Sequence, residues 1–162
     1  MKSKLLLMVV LTTLVAAPEL ASAQSVTATA TVAEYALISG TGDLAFGTLS
    51  RATDNVIDAA GGAGHATRTV DFNHDVSITF NNVPANLTSG TLMLPVLLTC
   101  ASQMAGVWSA AAPCATAQLD LDVGAALTTA TLGFGGTIAA ADVATAVAGN
   151  YTGTFDIVVT AR

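Results

Sequence analysis

Residues 26–32 read VTATATV, in which small apolar residues alternate with threonine at every position. A period of two is the periodicity of a β-strand with one face turned to an apolar surface. EYALIS (34–39), DLAFGTL (43–49) and TATLGFGGTI (129–138) are further predicted strands, and the same alternation returns in TRTVDF (67–72), DVSITF (75–80) and QLDLDV (118–123). It closes the chain in YTGTFDIVVTAR, where Tyr151, Phe155, Ile157, Val159 and Ala161 share the face predicted to meet the core. Between these runs lie turn residues: Gly40-Thr41-Gly42, the polar, Gly-rich stretch 51–65 with one short strand predicted at 55–57, and Asn81-Asn82-Val83-Pro84. TLMLPVLLT (91–99) is apolar, and Pro95 marks it as an edge or bent strand. ADVATAVAG (141–149) is predicted to make a helical turn or two. Many short strands spaced by roughly ten residues predict an all-β fold, an antiparallel β-sandwich.

Composition changes the picture at the N-terminus. Lys2 and Lys4 precede an apolar run from Leu5 to Val15, Pro18 breaks it, and Ala21-Ser22-Ala23 forms an A-x-A cleavage site. Residues 1–23 therefore read as a secretory signal peptide, with Gln24 as the first mature residue. Residues 24–36 then hold a candidate N-terminal strand and 37–162 the sandwich domain. Removing Lys2, Lys4 and Glu19 leaves three basic residues against ten acidic ones, a net charge of −7. Arg51, Arg68 and Arg162 are scattered, so the sequence predicts neither nucleic-acid binding nor membrane insertion of the mature chain. Charged residues make up only 10% of the chain, against roughly 25% in soluble domains, which leaves few charges to keep strand edges apart.

In an exported chain, Cys100 and Cys114, the only cysteines, are predicted to form a disulfide, and closing that loop stabilises by roughly 3 kcal/mol in a chain-entropy model. The stretch between them reads as a loop in need of a staple, with Trp108 as a lid on the core. A zinc site would need two more ligands, and His65 and His74 are distant in sequence.

Candidate chemistry is sparse, and no catalytic residue, cofactor or metal ligand is predicted. His65 and His74 have no partner spacing, and no G-x-S-x-G marks a nucleophile. Asp71, Asn73 and Asp75 begin like a calcium loop, but Val76 and Asn82 stand where glycine and glutamate are needed. Asp120 and Asp122 lie opposite Leu119, Leu121 and Val123, as on the solvated side of a half-buried strand. The expectation is a protein that is not an enzyme.

Three stretches together resemble bacterial pilin subunits of the chaperone–usher kind, including the spore-coat-U-like, archaic fimbrial and related secreted pilin-like domains. These are VTATATV directly after the signal peptide, GDLAFGTL, which is similar to a G-x-L-x-F-G-x-L turn-and-strand, and the ending ATLGFGGTI…AGNYTGTFDIVVTAR. The chain departs from the pattern at Ala161, where many pilins carry an aromatic residue, and in having no cysteine in its first strand.

The resemblance implies an immunoglobulin-like sandwich that lacks one strand and is completed by a donor strand from another subunit. On that implication Val26, Ala28, Ala30 and Val32 are the groove-filling face. The partners are identical or related subunits joined head to tail, with a periplasmic chaperone and an outer-membrane usher, and the subunit passes through the periplasm to a cell-surface fibre. The alternative is a self-contained secreted sandwich, an adhesion or carbohydrate-binding module, in which the N-terminal strand pairs within its own chain.

Overall fold

The structure is a computed structural model and describes residues 29–124 and 127–162; the chain divides after Val32. Ala33–Arg162 is all-β. Its strands are β1 (Ala36–Ser39), β2 (Asn55–Ile57), β3 (Ala66–Phe72), β4 (Val76–Asn81), β5 (Asn86–Ser89), β6 (Leu92–Pro95), β7 (Leu97–Met104), β8 (Val107–Trp108), β9 (Ala112–Pro113), β10 (Gln118–Leu121), β11 (Thr128–Ile138) and β12 (Asp156–Ala161). One short helix, α1 (Ala140–Thr145), follows β11.

All pairings are antiparallel. The larger sheet runs β1-β3-β11-β7-β8, with β2 and β9 added at its margins; the smaller runs β10-β4-β12; β5 and β6 form a separate hairpin. β11 is long enough to take two neighbours on one side. Thr128–Phe134 pair with β3, and Gly136–Ile138 pair with β2.

The two sheets enclose the core. Val70 and Phe72 of β3, Ala130, Leu132 and Phe134 of β11, and Leu98 and Cys100 of β7 belong to one buried cluster with Val76, Ile78 and Phe80 of β4 and Leu121 of β10. These are the alternate positions of each strand, so the period-two pattern is fulfilled. Burying a side chain of this size stabilises by about 1.5–3 kcal/mol. Phe80, Phe134 and Phe155 tie the sheets together at one end. Their ring centroids lie 5.9 Å apart for Phe80–Phe134 and 5.4 Å for Phe134–Phe155. The Cys100–Cys114 disulfide is present and buried in this core, with its Cα atoms 5.1 Å apart.

The structure corrects several expectations. DLAFGTL forms no strand. Gly47 adopts a left-handed φ of 66°, which breaks the pleat, and the Ala45 N–H bonds instead to the Gly64 carbonyl. The stretch between the cysteines is not a loop throughout: β7 continues to Met104, and a turn at Ala105-Gly106 returns it as β8. Trp108 is not a lid on the core. Its ring lies against Gly133, on the face of β11 opposite Leu132 and Phe134. There a Cβ would meet the Trp108 ring at 2.8 Å and the Ala59 carbonyl closer still, so only glycine lets both approach.

TLMLPVLLT splits at Val96 into β6 and β7, and the polar strand β5 pairs with β6. Within the candidate N-terminal strand, residues 29–35 are not in a strand and only Ala36 belongs to β1; no pairing includes Thr29–Val32, which are exposed. Val26 and Ala28 lie outside the described residues, as do residues 1–23.

Candidate functional site: an open cleft beside the last strand

Like β10 at the opposite margin, β12 is an edge strand of the smaller sheet. This strand bonds to β4 from Asp156↔Asn81 to Ala161↔Val76, and among the described residues no strand pairs with its other edge. Tyr151, Phe155, Ile157 and Val159 pack against the core yet remain half-buried, whereas Phe80 and Ile78, opposite Ile157 and Val159 on β4, are buried. Ala161, the last residue of the predicted core face, is exposed at the end of the ladder. The face is only partly covered.

The uncovered apolar surface opens into a cleft of about 910 Å³. Its floor is Leu87, Leu94, Leu98, Phe134, Ile138 and Val143. One wall is residues 42–49 with Arg51, and the other is residues 146–155, leading into Ile157 of β12. The walls are thus GDLAFGTL and AGNYTGTF, two of the three stretches that carry the resemblance described above.

Each wall is fastened from behind. On the first, the Arg68 guanidinium donates to the Gly42 carbonyl at 2.7 Å, and Ala45 N–H donates to the Gly64 carbonyl at 3.0 Å. Asn55 accepts from Ser50 N–H at 2.6 Å and returns a bond to the Ser50 carbonyl at 3.0 Å. These bonds leave the apolar side chains Leu44, Phe46 and Leu49 half-buried against the core. On the second wall, Thr88 and Thr152 exchange backbone hydrogen bonds of 2.8 and 2.9 Å, and the Tyr151 hydroxyl donates to the Val147 carbonyl at 2.7 Å. The walls therefore hold their shape without bonding to each other.

The polar candidates fall elsewhere. Asp71 accepts from the Thr129 hydroxyl, Asn73 bonds to Ala33 and Tyr35, and Asp75 accepts from Val123 N–H. Each member of the calcium-like stretch is thereby committed to a different neighbour. His74 faces Asn73, and His65 lies beside the Gly62 carbonyl in the Gly-rich loop. Asp120 and Asp122 both pair with Arg162, which follows β12. Hydrogen bonds from Gln118 and Ser77, with the Arg162 charge, hold the Asp120 carboxyl below its ordinary value, although burial opposes them. Among the described residues no group of three or more His, Cys, Asp or Glu side chains could hold a metal ion.

What the arrangement can do physically is accept an extended segment. An open strand edge offers unpaired N–H and C=O groups, and the apolar floor beside it offers room for alternate side chains. Sequence reasoning found the last strand but missed the cleft wall at 42–51, because its apolar residues look the same in a strand as in a tethered loop. No protein-family model and no curated protein matches the chain.

Proposed function

We propose that the chain is a structural subunit of a cell-surface fibre, an incomplete immunoglobulin-like sandwich completed by donor-strand exchange. The observation that carries this reading is the apolar cleft that reaches Ile157 at the start of β12, a strand whose other edge is unpaired among the described residues. The occupant is residues 24–32 of a second copy. VTATATV has the period and the small side chains to lie as a strand on that edge, with Val26, Ala28, Ala30 and Val32 directed to the floor.

A segment leaving one subunit for the cleft of the next makes a heterologous, head-to-tail contact, which propagates as an open filament. Main-chain bonds supply much of the hold, because alanine and valine bury little area each. Before assembly the exposed cleft is an aggregation hazard, and a periplasmic chaperone that lends a strand, with an outer-membrane usher, fits the exported route read from residues 1–23.

Refolded mature protein, residues 24–162, tests the reading. It is expected to form an oligomer ladder in unheated denaturing gels that collapses on heating, and a variant lacking 24–32 is expected to lose the ladder. A ladder that persists without those residues contradicts the proposal. A self-contained secreted sandwich predicts a monomer in both cases.

A further inference from the structure

Asn73 lies in the turn between β3 and β4 and makes three bonds to one short segment. Its backbone N–H donates to the Tyr35 carbonyl at 3.1 Å, which continues the β1–β3 register one residue beyond Ala36↔Phe72. Its side-chain oxygen accepts from Tyr35 N–H at 2.7 Å, and its side-chain amide donates to the Ala33 carbonyl at 2.9 Å. The Asn side chain carries an acceptor and a donor side by side, so it stands in for the next peptide of a strand. Residues 33–35 are thereby held in line with β1.

The direction matters. β1 meets Phe72 at its start and Thr69 at its end, so going back from Ala36 to Ala33 the chain heads past Asn73. The cleft floor lies at the opposite end of the sheet, where Ala66 pairs with Phe134 and Leu98 with Gly136. β12 also runs toward the Asn73 end, finishing at Ala161↔Val76.

We propose that Asn73 is the root clamp of the exchangeable arm, a positioning residue that sends residues 24–32 into a second copy's cleft and not into the chain's own. This rests on the fibre reading above. To fill its own cleft the chain must reverse: a reversal at residues 33–35 breaks the bonds at Ala33 and Tyr35, and one before Ala33 shortens the arm left to reach the floor. The arm would then run parallel to β12, since both chains would end at the Asn73 turn. A second copy is free to lay the arm antiparallel, the slightly more stable ladder. Asn73 also sets where the fixed body begins, so Val32 is the last residue available for exchange.

The test combines sedimentation with hydrogen exchange on the mature chain, comparing the natural sequence with Asn73→Ala and Asn73→Asp. The natural chain is expected to show protected amides at residues 26–31 in oligomers only. Asn73→Ala removes both side-chain bonds and is expected to raise the share of monomer with a protected arm by about tenfold, given the usual worth of two such bonds. Asn73→Asp keeps the Tyr35 bond but sets a carboxylate oxygen against the Ala33 carbonyl, and is expected to shift the partition the same way.

Protection of Val70 and Ile78 reports that the body is folded, and the Asp variant decides the matter where the Ala variant loses it. A protected arm in natural-sequence monomers, or an unchanged partition in the folded variants, overturns the clamp while leaving exchange intact. Unprotected arm amides in every species overturn the fibre reading itself, and the clamp with it.

Discussion

Phe155→Ala separates a residue that merely supports the core from one that awaits a partner. The Phe155 ring stands 5.4 Å from Phe134 and 6.3 Å from Phe80 between centroids, and it lines the cleft while only half-buried. Truncating a fully buried phenylalanine costs about 3–5 kcal/mol. With at most about a third of the residue open to solvent, the unassembled subunit should lose most of that, about 3 kcal/mol. A strand seated in the cleft covers the rest of the ring, so the assembled state should lose about 1 kcal/mol more, equivalent to roughly a fivefold rise in the concentration needed for assembly. Urea unfolding of dilute, unassembled protein measures the first quantity, and the critical concentration by sedimentation measures the second. Folded Phe155→Ala protein that assembles at the natural concentration would refute the reasoning, because the ring would then gain no cover on assembly.

Other positions test the fold beneath the cleft. Gly133→Ala is expected to destabilise by about 1–3 kcal/mol, since its Cβ meets the Ala59 carbonyl and the Trp108 ring; an unchanged urea midpoint would contradict that packing. Replacing Cys114 by serine is expected to cost roughly 3 kcal/mol for the loop to Cys100, read as the shift in urea midpoint that reductant also produces in the natural chain. The Asp120 carboxyl has its pKa lowered in the fold from the ordinary 3.8, so its contribution is present above that value and is lost as pH falls through the folded one. Asp120→Asn should therefore flatten the acid limb of stability slightly, and an Asp120 titration at the ordinary value would remove the argument.

The readable parts of the sequence are those where one face meets a finished core. QLDLDV became β10 with Leu121 buried, and TRTVDF and DVSITF became β3 and β4 in the predicted alternation. The unreadable parts depend on distant tethers. β5, from Asn86 to Ser89, has little apolar alternation and exists because β6 and Thr152 bond to it. The Phe46 ring packs beside Gly136, and nothing near residue 46 in the chain announces that neighbour. Trp108 was assigned to the wrong face because its place is set by the missing side chain of Gly133. The cleft was legible only in outline: Phe155 and Ile157 could be placed at the last strand, but that no strand among the described residues pairs with its other edge is a property of the whole sheet.

The central claim is that residues 24–32 complete the cleft of another copy. Negative-stain electron microscopy of the purified mature chain, with and without those residues, tests it most directly. The account predicts thin fibres from residues 24–162 and none from the shortened chain. Fibres that persist without residues 24–32, or an intact chain that stays monomeric and stable at high concentration, would contradict it.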